Sequence, residues 1–503
     1  MSTAQEQSDP AISTVAGNDG PGGFKGENEP AATAQLNRPL GVAVDGTGTL
    51  FIADYNNQRV RKVTTDGRIT TVAGTGVAGF AGNNGPADKA QLSQPRGLAV
   101  DGAGNLYIAD AGNHRLRKIT ADGRITTIAG TGTGGFVGNN GPAVSAQLNY
   151  PLAVAVDSAG VLYISDFSGH RIRKITADGR ISTVAGTGTA GSGGDGGPAD
   201  KAQLNGPRGL ALDGAGNLYI ADAGNNRIRK ITADGRMSTV AGTGTAGFSG
   251  DGGPADKAQL SAPLGVVVNS AGEVLLSDYN NHRVRRIAGD GTITTVAGTK
   301  GAGFSGDGGP ASAAQLSNPT ALAVDCVDTL YIADHVNNRV RRIASPMLTG
   351  LPESGTVASW ANVRSNLRMG VLRESYHDGA EIHQSPVAPR EHQRWRLLVV
   401  GQESGDVLYT LENVRSGKVL EVAGAEDAAG ALIAQRTYQG ADAHHQQWRL
   451  IPVGSPADSP RVYEIANRNS GLLLRADAPA PAAIRQRTAD GDHRLRQWQL
   501  LPA

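Results

Sequence analysis

A motif with the pattern ADxxNxRxRK, or a close variant of it, recurs through the first two thirds of the chain. Its aspartate occurs six times, each copy 56 residues after the last, at Asp54, Asp110, Asp166, Asp222, Asp278 and Asp334. The repeat units cover almost all of residues 11–344. Such strict periodicity indicates that each unit is one supersecondary element, which buries its apolar face by packing against the next unit.

Each unit has the pattern of four short antiparallel strands joined by tight turns. In the fourth copy the β-prone runs are 209–212, 218–221, 227–231 and 237–241, separated by Gly, Asn and Asp. With 70 glycines and 39% apolar residues, the chain fits a turn-rich globular protein and excludes collagen and disorder. Four-stranded units repeated around a channel form a β-propeller. We therefore predict an all-β fold with a six-bladed propeller over residues 11–344.

The copy number of the outer strand predicts how the ring closes. One copy of the outer-strand motif precedes the first blade, at residues 12–17, whereas the sixth unit ends at Ile343 without one. Pairing the spare copy with the sixth blade removes two exposed strand edges at once. We expect this N-terminal strand to close the last blade.

Composition and charge exclude several classes of protein. The 47 Lys and Arg residues balance 46 Asp and Glu residues, which argues against a general nucleic-acid binder. Cys326 is the single cysteine, so no intrachain disulfide forms. The first residues lack the basic start and apolar run of a signal peptide, and no apolar stretch is long enough to span a membrane. We expect no membrane span. The compartment is undetermined: cytoplasmic by default, with non-classical export left open.

The repeat resembles that of NHL-repeat propellers. The resemblance rests on the Asn-His-Arg sequences at 113–115 and 281–283 and on GNLYIAD at 104–110. The glycine-rich connections at 247–255 and 303–311 are similar to those of bacterial and teneurin-type members. The resemblance implies the fold but leaves activity open, because the family includes RNA-binding regulators, extracellular interaction modules and sensor domains, and related propellers are lyases or hydrolases.

Residues that occur in every blade are expected to be structural, because an enzyme needs an asymmetric constellation. We expect Asp54 and Arg59, with their equivalents, to form a clamp at a tight turn in each blade. His114, His170 and His282 share one repeat position. Equivalent positions in different blades lie ~10 Å or more apart, too far to share a Zn²⁺ ion at ~2.1 Å. We predict no metal site and no cofactor.

Two further sets of charged residues recur. The connection residues Asp195, Asp251 and Asp307 are expected to form turns, because no single loop supplies enough carboxylates for Ca²⁺. The basic pair Arg61-Lys62 and its equivalents in the other blades are expected to form a solvated face. Nearby acids offset this charge, and no aromatic platform for single-stranded RNA accompanies it.

A weaker threefold repeat follows a predicted linker at residues 345–352. Its landmarks are three tryptophans preceded by polar residues, Trp395, Trp448 and Trp498, spaced 53 and 50 residues apart. Three β-rich units predict a closed three-lobed barrel whose tryptophans fill the common core. This region, residues 353–503, resembles the ricin-type β-trefoil lectins, and we predict a C-terminal β-trefoil.

In that lectin family each lobe can hold a sugar with an aspartate, a stacking aromatic residue and an Asn-Gln pair before the tryptophan. The resemblance places Gly370, Glu421 and Arg475 at the aspartate position, so only the second lobe keeps a carboxylate. The Asn-Gln pair is replaced by His392-Gln393, His445-Gln446 and Leu495-Arg496. The carbohydrate-binding residues that the resemblance implies are Glu421, Tyr438, His445 and Gln446.

The leading hypothesis is a non-enzymatic binding protein. Its propeller presents a contact face for a protein or small ligand, and its trefoil binds a glycan or glycoconjugate. One alternative is a propeller lyase or hydrolase targeted by the trefoil, with His335, Phe167 and Tyr150 at the channel as candidate residues. A less favoured alternative is an RNA-binding NHL protein.

Overall fold

A computed structural model describes residues 9–18, 20–345, 354, 356–362, 368–371, 376–385, 393–403, 406–425, 431–440, 443–453, 462–470, 472–476, 484–487 and 497–502. The chain divides into two compact units, of which one ends at Ala344 and the other runs from Ser345 to Ala503. The predicted linker lies outside the described residues except for Ser345.

The first unit is a six-bladed β-propeller, as predicted. Each blade is one antiparallel sheet, and the first, second and third strands follow one another from the channel outward. The strands of the first three blades are β2 (Glu29–Pro30), β3 (Pro39–Val44), β4 (Leu50–Asp54), β5 (Arg59–Val63) and β6 (Arg68–Ala73); β7 (Pro95–Val100), β8 (Leu106–Asp110), β9 (Arg115–Ile119) and β10 (Ile125–Ala129); and β11 (Pro151–Val156), β12 (Leu162–Asp166), β13 (Arg171–Ile175) and β14 (Ile181–Ala185). Those of the last three are β15 (Pro207–Leu212), β16 (Leu218–Asp222), β17 (Arg227–Ile231) and β18 (Met237–Ala241); β19 (Gly253–Pro254), β20 (Pro263–Val268), β21 (Val274–Asp278), β22 (Arg283–Ile287) and β23 (Thr292–Ala297); and β24 (Pro319–Val324), β25 (Leu330–Asp334) and β26 (Arg339–Ile343).

The predicted ring closure is confirmed. Strand β1 (Ile12–Ala16) is the outer strand of the sixth blade, in the order β1-β26-β25-β24. Its register places Ile12 opposite Ile343. Beyond the ladder, Ile12 N donates to Gly309 O at 3.0 Å and Gly308 N donates to Ile12 O at 2.8 Å. Strand β1 is therefore bonded to the connection that precedes the sixth blade as well as to β26.

The apolar core of the propeller lies between neighbouring blades. Ala43 and Val60 of the first blade, for example, pack in one cluster with Leu98 and Ile108 of the second. These side chains are at most 7% exposed. Because every blade buries one face against the blade before it and one against the blade after it, the ring stabilises itself only when it is complete.

The second unit has the strand pairing of a β-trefoil. Its strands are β27 (Val357–Asn362), β28 (Arg368–Val371), β29 (Ala380–Ser385), β30 (Trp395–Glu403), β31 (Asp406–Asn413), β32 (Val419–Val422), β33 (Ile433–Arg436), β34 (Trp448–Val453), β35 (Val462–Asn467), β36 (Leu473–Ala476), β37 (Ile484–Arg487) and β38 (Gln497–Pro502). Strands β27, β30, β31, β34, β35 and β38 pair in that order and β38 returns to β27, so six strands close a barrel. Each lobe adds one hairpin: β28–β29, β32–β33 and β36–β37.

The three repeat tryptophans lie in the core, as predicted. Trp395, Trp448 and Trp498 are each 0% exposed. Their indole N–H groups donate to backbone carbonyls at equivalent places in the hairpins, namely Met369 O, Leu420 O and Leu474 O, at 3.1, 3.1 and 3.2 Å. The residues that follow these carbonyls are Gly370, Glu421 and Arg475. The structure thereby places these three residues at one equivalent position.

Candidate functional site

The repeated aspartate and arginine form a buried ion pair in every blade, but the partner differs from the one expected. Asp54 and its equivalents pair with the arginine seven residues later, at 3.9, 3.1, 3.6, 3.3, 3.7 and 3.6 Å in blades one to six. Arg59, the predicted partner, instead donates to Thr75 O at 2.7 Å. Burial raises the pKa of Asp54 to about 6, against hydrogen bonds from Asn57 and Asn37 and the charge of Arg61.

The expectation of a solvated basic face is wrong for the arginines. Arg61 and its five equivalents are 0% exposed, whereas Lys62 is partly exposed. Adjacent residues of a strand point to opposite sides of the sheet, so the first residue of each basic pair points into the blade. The buried arginines therefore offer nothing to an RNA backbone.

The connection acids also have a different role from the turns expected of them. Asp195, Asp251 and Asp307 each bind the buried arginine of their blade at 2.6 Å. In the first three blades Glu27, Asn83 and Asn139 contact the equivalent arginine at 3.6, 3.3 and 3.4 Å. Each long connection is thus tied to the third strand of its blade.

Phenylalanine in the connection covers these arginines in five blades. The ring of Phe248 lies 3.9 Å from the Arg283 guanidinium carbon and 4.9 Å from that of Arg285. The equivalent rings are those of Phe24, Phe80, Phe136 and Phe304. The fourth blade has Ser192 at this position and lacks the stacking.

One polar side chain at an equivalent position in each blade links that blade to the next, and in three blades this side chain is a histidine. His282 Nδ1, for example, accepts a hydrogen bond from Asn318 N at 3.2 Å. The other five links are His114 to Tyr150, His170 to Gly206, Gln58 to Gln94, Asn226 to Ala262 and Asn338 to Arg38, at 2.7 to 3.1 Å. Burial, and then the charge of Arg283, lower the pKa of His282. Because Nδ1 is the acceptor, His282 serves the ring in its neutral form.

The central channel is lined by first-strand residues that are mainly small or apolar. Val42, Gly97 and Leu210 are among them, and so are Arg96 and Arg208. Its described lining contains no carboxylate, and no group of three His, Cys, Asp or Glu side chains in the described part of the chain could hold a metal ion. This lining lacks the cluster of acids and histidines on which a propeller lyase or hydrolase would depend.

The residues proposed for that alternative lie at the mouth of the channel. His335 and Phe167 line a cavity there. Tyr150 packs edge-on against Phe167, with ring centroids 6.4 Å apart, and its hydroxyl donates to Gln94 Oε1 at 2.6 Å. The structure thus brings together aromatic side chains without a nucleophile and base in contact.

In the second lobe of the trefoil, the structure brings Glu421, His445 and Gln446 together. Glu421 is 1% exposed. Its Oε2 accepts from Gln446 Nε2 at 3.3 Å and lies 3.6 Å from His445 Nε2. Gln446 also holds the backbone on both sides of Tyr438, since its Nε2 donates to Thr437 O at 3.2 Å and its Oε1 accepts from Gln439 N at 3.0 Å.

Arg436 completes this site, and sequence reasoning missed it. Its Nε donates to Glu421 Oε1 at 2.6 Å, and its side chain is 39% exposed. The hydrogen bond and charge of Glu421 raise the pKa of Arg436. The exposed end of the cluster is therefore a guanidinium oriented by a buried carboxylate. Of the other lobes' counterparts, Gln393 is buried, whereas His392, Leu495 and Arg496 lie outside the described residues.

Within the described ranges, no helix has the length and apolar character that crossing a membrane requires.

Family models match both parts of the chain. A model described as NHL repeat matches residues 36–63, 92–119, 148–175 and 260–287, and one described as teneurin NHL domain matches 187–248. A model described as ricin-type beta-trefoil lectin domain-like matches residues 350–436 and 391–477. These matches fall on the blades and on the trefoil lobes described above.

Two curated relatives match a large part of the chain. The chain is 31% identical to Protein SUPPRESSOR OF QUENCHING 1, chloroplastic, of Arabidopsis thaliana, over 63% of this chain and 31% of that protein. It is 27% identical to mouse Teneurin-3 over 69% of this chain and 14% of that protein. The chain thus spans less than a third of the length of either relative.

A solved structure supports the fold. A structural genomics protein of unknown function from Bacteroides thetaiotaomicron superposes with a TM-score of 0.50 and 21% identity, over 66% of this chain and 75% of that one. The chain is thus a six-bladed β-propeller with NHL repeats, followed by a β-trefoil that matches the ricin-type lectin domain-like model.

Proposed function

We propose that this is a non-enzymatic binding protein in which the propeller is an interaction scaffold and the trefoil is a carbohydrate-binding module. Support for the scaffold comes from what the repeated residues do. The charged side chains present in every blade, such as Asp222 and Arg229, form ion pairs with one another in the interior. Residues of that kind stabilise the ring and leave its surface positions to contact a partner.

The observation that carries the carbohydrate part is the polar cluster of the second lobe. Glu421, His445 and Gln446 converge there, and Gln446 fixes the backbone on both sides of Tyr438. A preorganised set of hydrogen-bonding groups suits the hydroxyls of a sugar, and Tyr438 would meet its apolar face. Because Arg436 already occupies one oxygen of Glu421, the sugar hydroxyls would meet the guanidinium and imidazole donors first.

A glycan array with matched variants tests this proposal. Gln446→Ala removes the amide that organises the second lobe. Gln393→Ala removes the buried glutamine at the same place before Trp395, in the lobe where Gly370 replaces the carboxylate. Both substitutions delete one buried amide, so their costs in stability are comparable.

The wild type should bind a defined set of glycans. Gln446→Ala and Glu421→Ala should each weaken that binding by about tenfold or more, the value of one or two hydrogen bonds to a charged network, while Gln393→Ala retains it. An array without signal for the wild type, or equal losses in both glutamine variants, would contradict a sugar site in the second lobe.

A further inference from the structure

The mouth of the central channel is one of the places where the near-identical repeats differ from one another. The residue after the repeated aspartate points there, and in blades one to six it is Tyr55, Ala111, Phe167, Ala223, Tyr279 and His335. Side chains from this position and from the residues beside the first-strand proline enclose a cavity of 510 Å³. Cavities of this size hold small organic molecules. The mouth therefore has an asymmetric lining, which a ligand site requires and a purely structural repeat does not.

Three arginines line this cavity, Arg38, Arg96 and Arg208, and no described acid lining it offsets their charge. Arg96 and Arg208 occupy the position after the proline in blades two and four, where the other blades have leucine or threonine. No aspartate or glutamate is among the described residues that line the cavity. Burial, and then the charge of Arg96, lower the pKa of Arg208.

These two arginines contrast with the structural arginines of the blades. Arg229 and its equivalents each meet a buried aspartate, and most meet a second acid as well. Arg96 and Arg208 instead hold two like charges near each other in a partly desolvated place, which costs stability unless an anion compensates them. Because such a pair of charges opposes folding, its presence is better explained by ligand binding than by a structural role.

Aromatic rings hold both guanidinium groups and supply the walls of the cavity. The Arg96 guanidinium carbon lies 4.8 Å from the ring centroid of Tyr55, and its Nη2 donates to Tyr150 Oη at 3.3 Å. That of Arg208 lies 4.9 Å from the ring centroid of Phe167. Stacking of this kind orients the guanidinium planes while leaving N–H groups available. The cavity therefore combines fixed cationic donors with flat apolar surfaces.

His335 also lines this cavity. It is 8% exposed, and its Nδ1 has no hydrogen-bond partner among the described residues. Burial lowers the pKa of His335 to about 4, against hydrogen bonds with the backbone of Pro39 and Arg38, and the charges of Arg38 and Arg96 act in the same direction as burial. The imidazole is neutral at physiological pH, so it adds no charge to the cavity.

We propose that the channel mouth binds a small organic anion. Its carboxylate or phosphate group lies against Arg96 and Arg208, and its flat apolar body lies against Tyr55 and Phe167. This site belongs to the propeller alone and does not depend on sugar binding by the trefoil.

Calorimetric titration of the wild-type chain at low salt tests the proposal directly. The probes are naphthalene-2-carboxylate, 2-naphthyl phosphate and the neutral 2-naphthamide, which share one aromatic body and differ in charge. We expect at least one of the two anions to bind at one site per chain, about tenfold or more tighter than the amide, and the anion that binds identifies the charged group. Failure of both anions, or equal binding of the amide, overturns the proposal.

Variants assign the binding to the two arginines. Arg96→Met and Arg208→Met keep the aliphatic bulk and remove the charge, and each should weaken the anion about tenfold or more, as for loss of a charge-assisted contact. Arg124→Met, at an exposed arginine that donates to Asn84 O, is the control and should bind normally. Neither cavity variant should lower the melting temperature of the ligand-free protein, because each relieves repulsion. Normal anion binding in both variants, or equal weakening in the control, refutes the assignment.

Discussion

Truncation of Ile12 to alanine should destabilise the propeller as much as the same change inside an uninterrupted blade. Strand β1 has the sequence ISTVA, and the same five residues form β14, the outer strand of the third blade. Ile12 and Ile181 begin these two segments and are both 0% exposed. Ile181→Ala is therefore a matched control, identical in local sequence and burial but placed on a strand that is continuous with its own blade.

The expected magnitude follows from the atoms removed. The change deletes three carbon atoms, worth roughly 0.8 kcal/mol each on transfer, or about 2.4 kcal/mol. The cavity that remains brings such substitutions to about 2–5 kcal/mol in total. Both variants should thus lose about 3 kcal/mol, because the amino-terminal strand is packed as tightly as any other outer strand.

Urea unfolding can separate the two units in one experiment. All four tryptophans, Trp360, Trp395, Trp448 and Trp498, belong to the trefoil. Tryptophan fluorescence therefore follows the trefoil, while far-ultraviolet circular dichroism also reports the propeller. Both variants should lower the dichroism midpoint and leave the fluorescence midpoint unchanged. The reasoning fails if Ile181→Ala shifts the propeller transition and Ile12→Ala does not, since β1 would then be detachable.

Two further substitutions test interactions within and between blades. Ser192→Phe restores the ring that the fourth blade lacks, and stacking on Arg227 should raise the stability of the propeller by about 0.5–1 kcal/mol; a neutral or destabilising effect in urea unfolding would contradict this role of the phenylalanines. His282→Asn replaces an acceptor that is lost on protonation by an amide oxygen that accepts at every pH, as asparagine does in two other blades. Since burial lowers the pKa of His282, its bond from Asn318 is present above the unfolded pKa of about 6.5 and is lost as the pH falls through the lower folded value. The variant should therefore gain a few tenths of a kcal/mol on the wild type between about pH 7.5 and 5, and parallel pH profiles would show that the bond contributes nothing.

The fold was predictable because the copies of each strand motif can be counted in the sequence. Six copies of three strands and one displaced outer strand at residues 12–17 leave one way to complete the ring. The buried position of the tryptophans in the trefoil was predictable for a similar reason, because large apolar residues that recur at regular spacing pack in the common core.

The roles of the charged residues were less predictable, because they depend on contacts far apart in the sequence. Arg61 and Lys62 look like one basic pair, but strand geometry sends them to opposite faces. Asp251 lies 34 residues before Arg285, and only the folded connection brings them together. Arg436 lies 15 residues after Glu421 on the neighbouring strand of a hairpin. The sequence also does not show that Arg96 and Arg208 face one cavity, because they lie in different repeats and no motif connects them.

The pairing of Ile12 with Ile343 also determines when the ring can close during synthesis of the chain. A ribosome that adds roughly 5–20 residues per second needs on the order of 20–70 s to make the chain between them. Throughout that interval the first strand is complete but has no partner, and the blades that emerge form an open arc. Quality-control factors that recognise unpaired strand edges have this long to act on the nascent chain before the ring shuts.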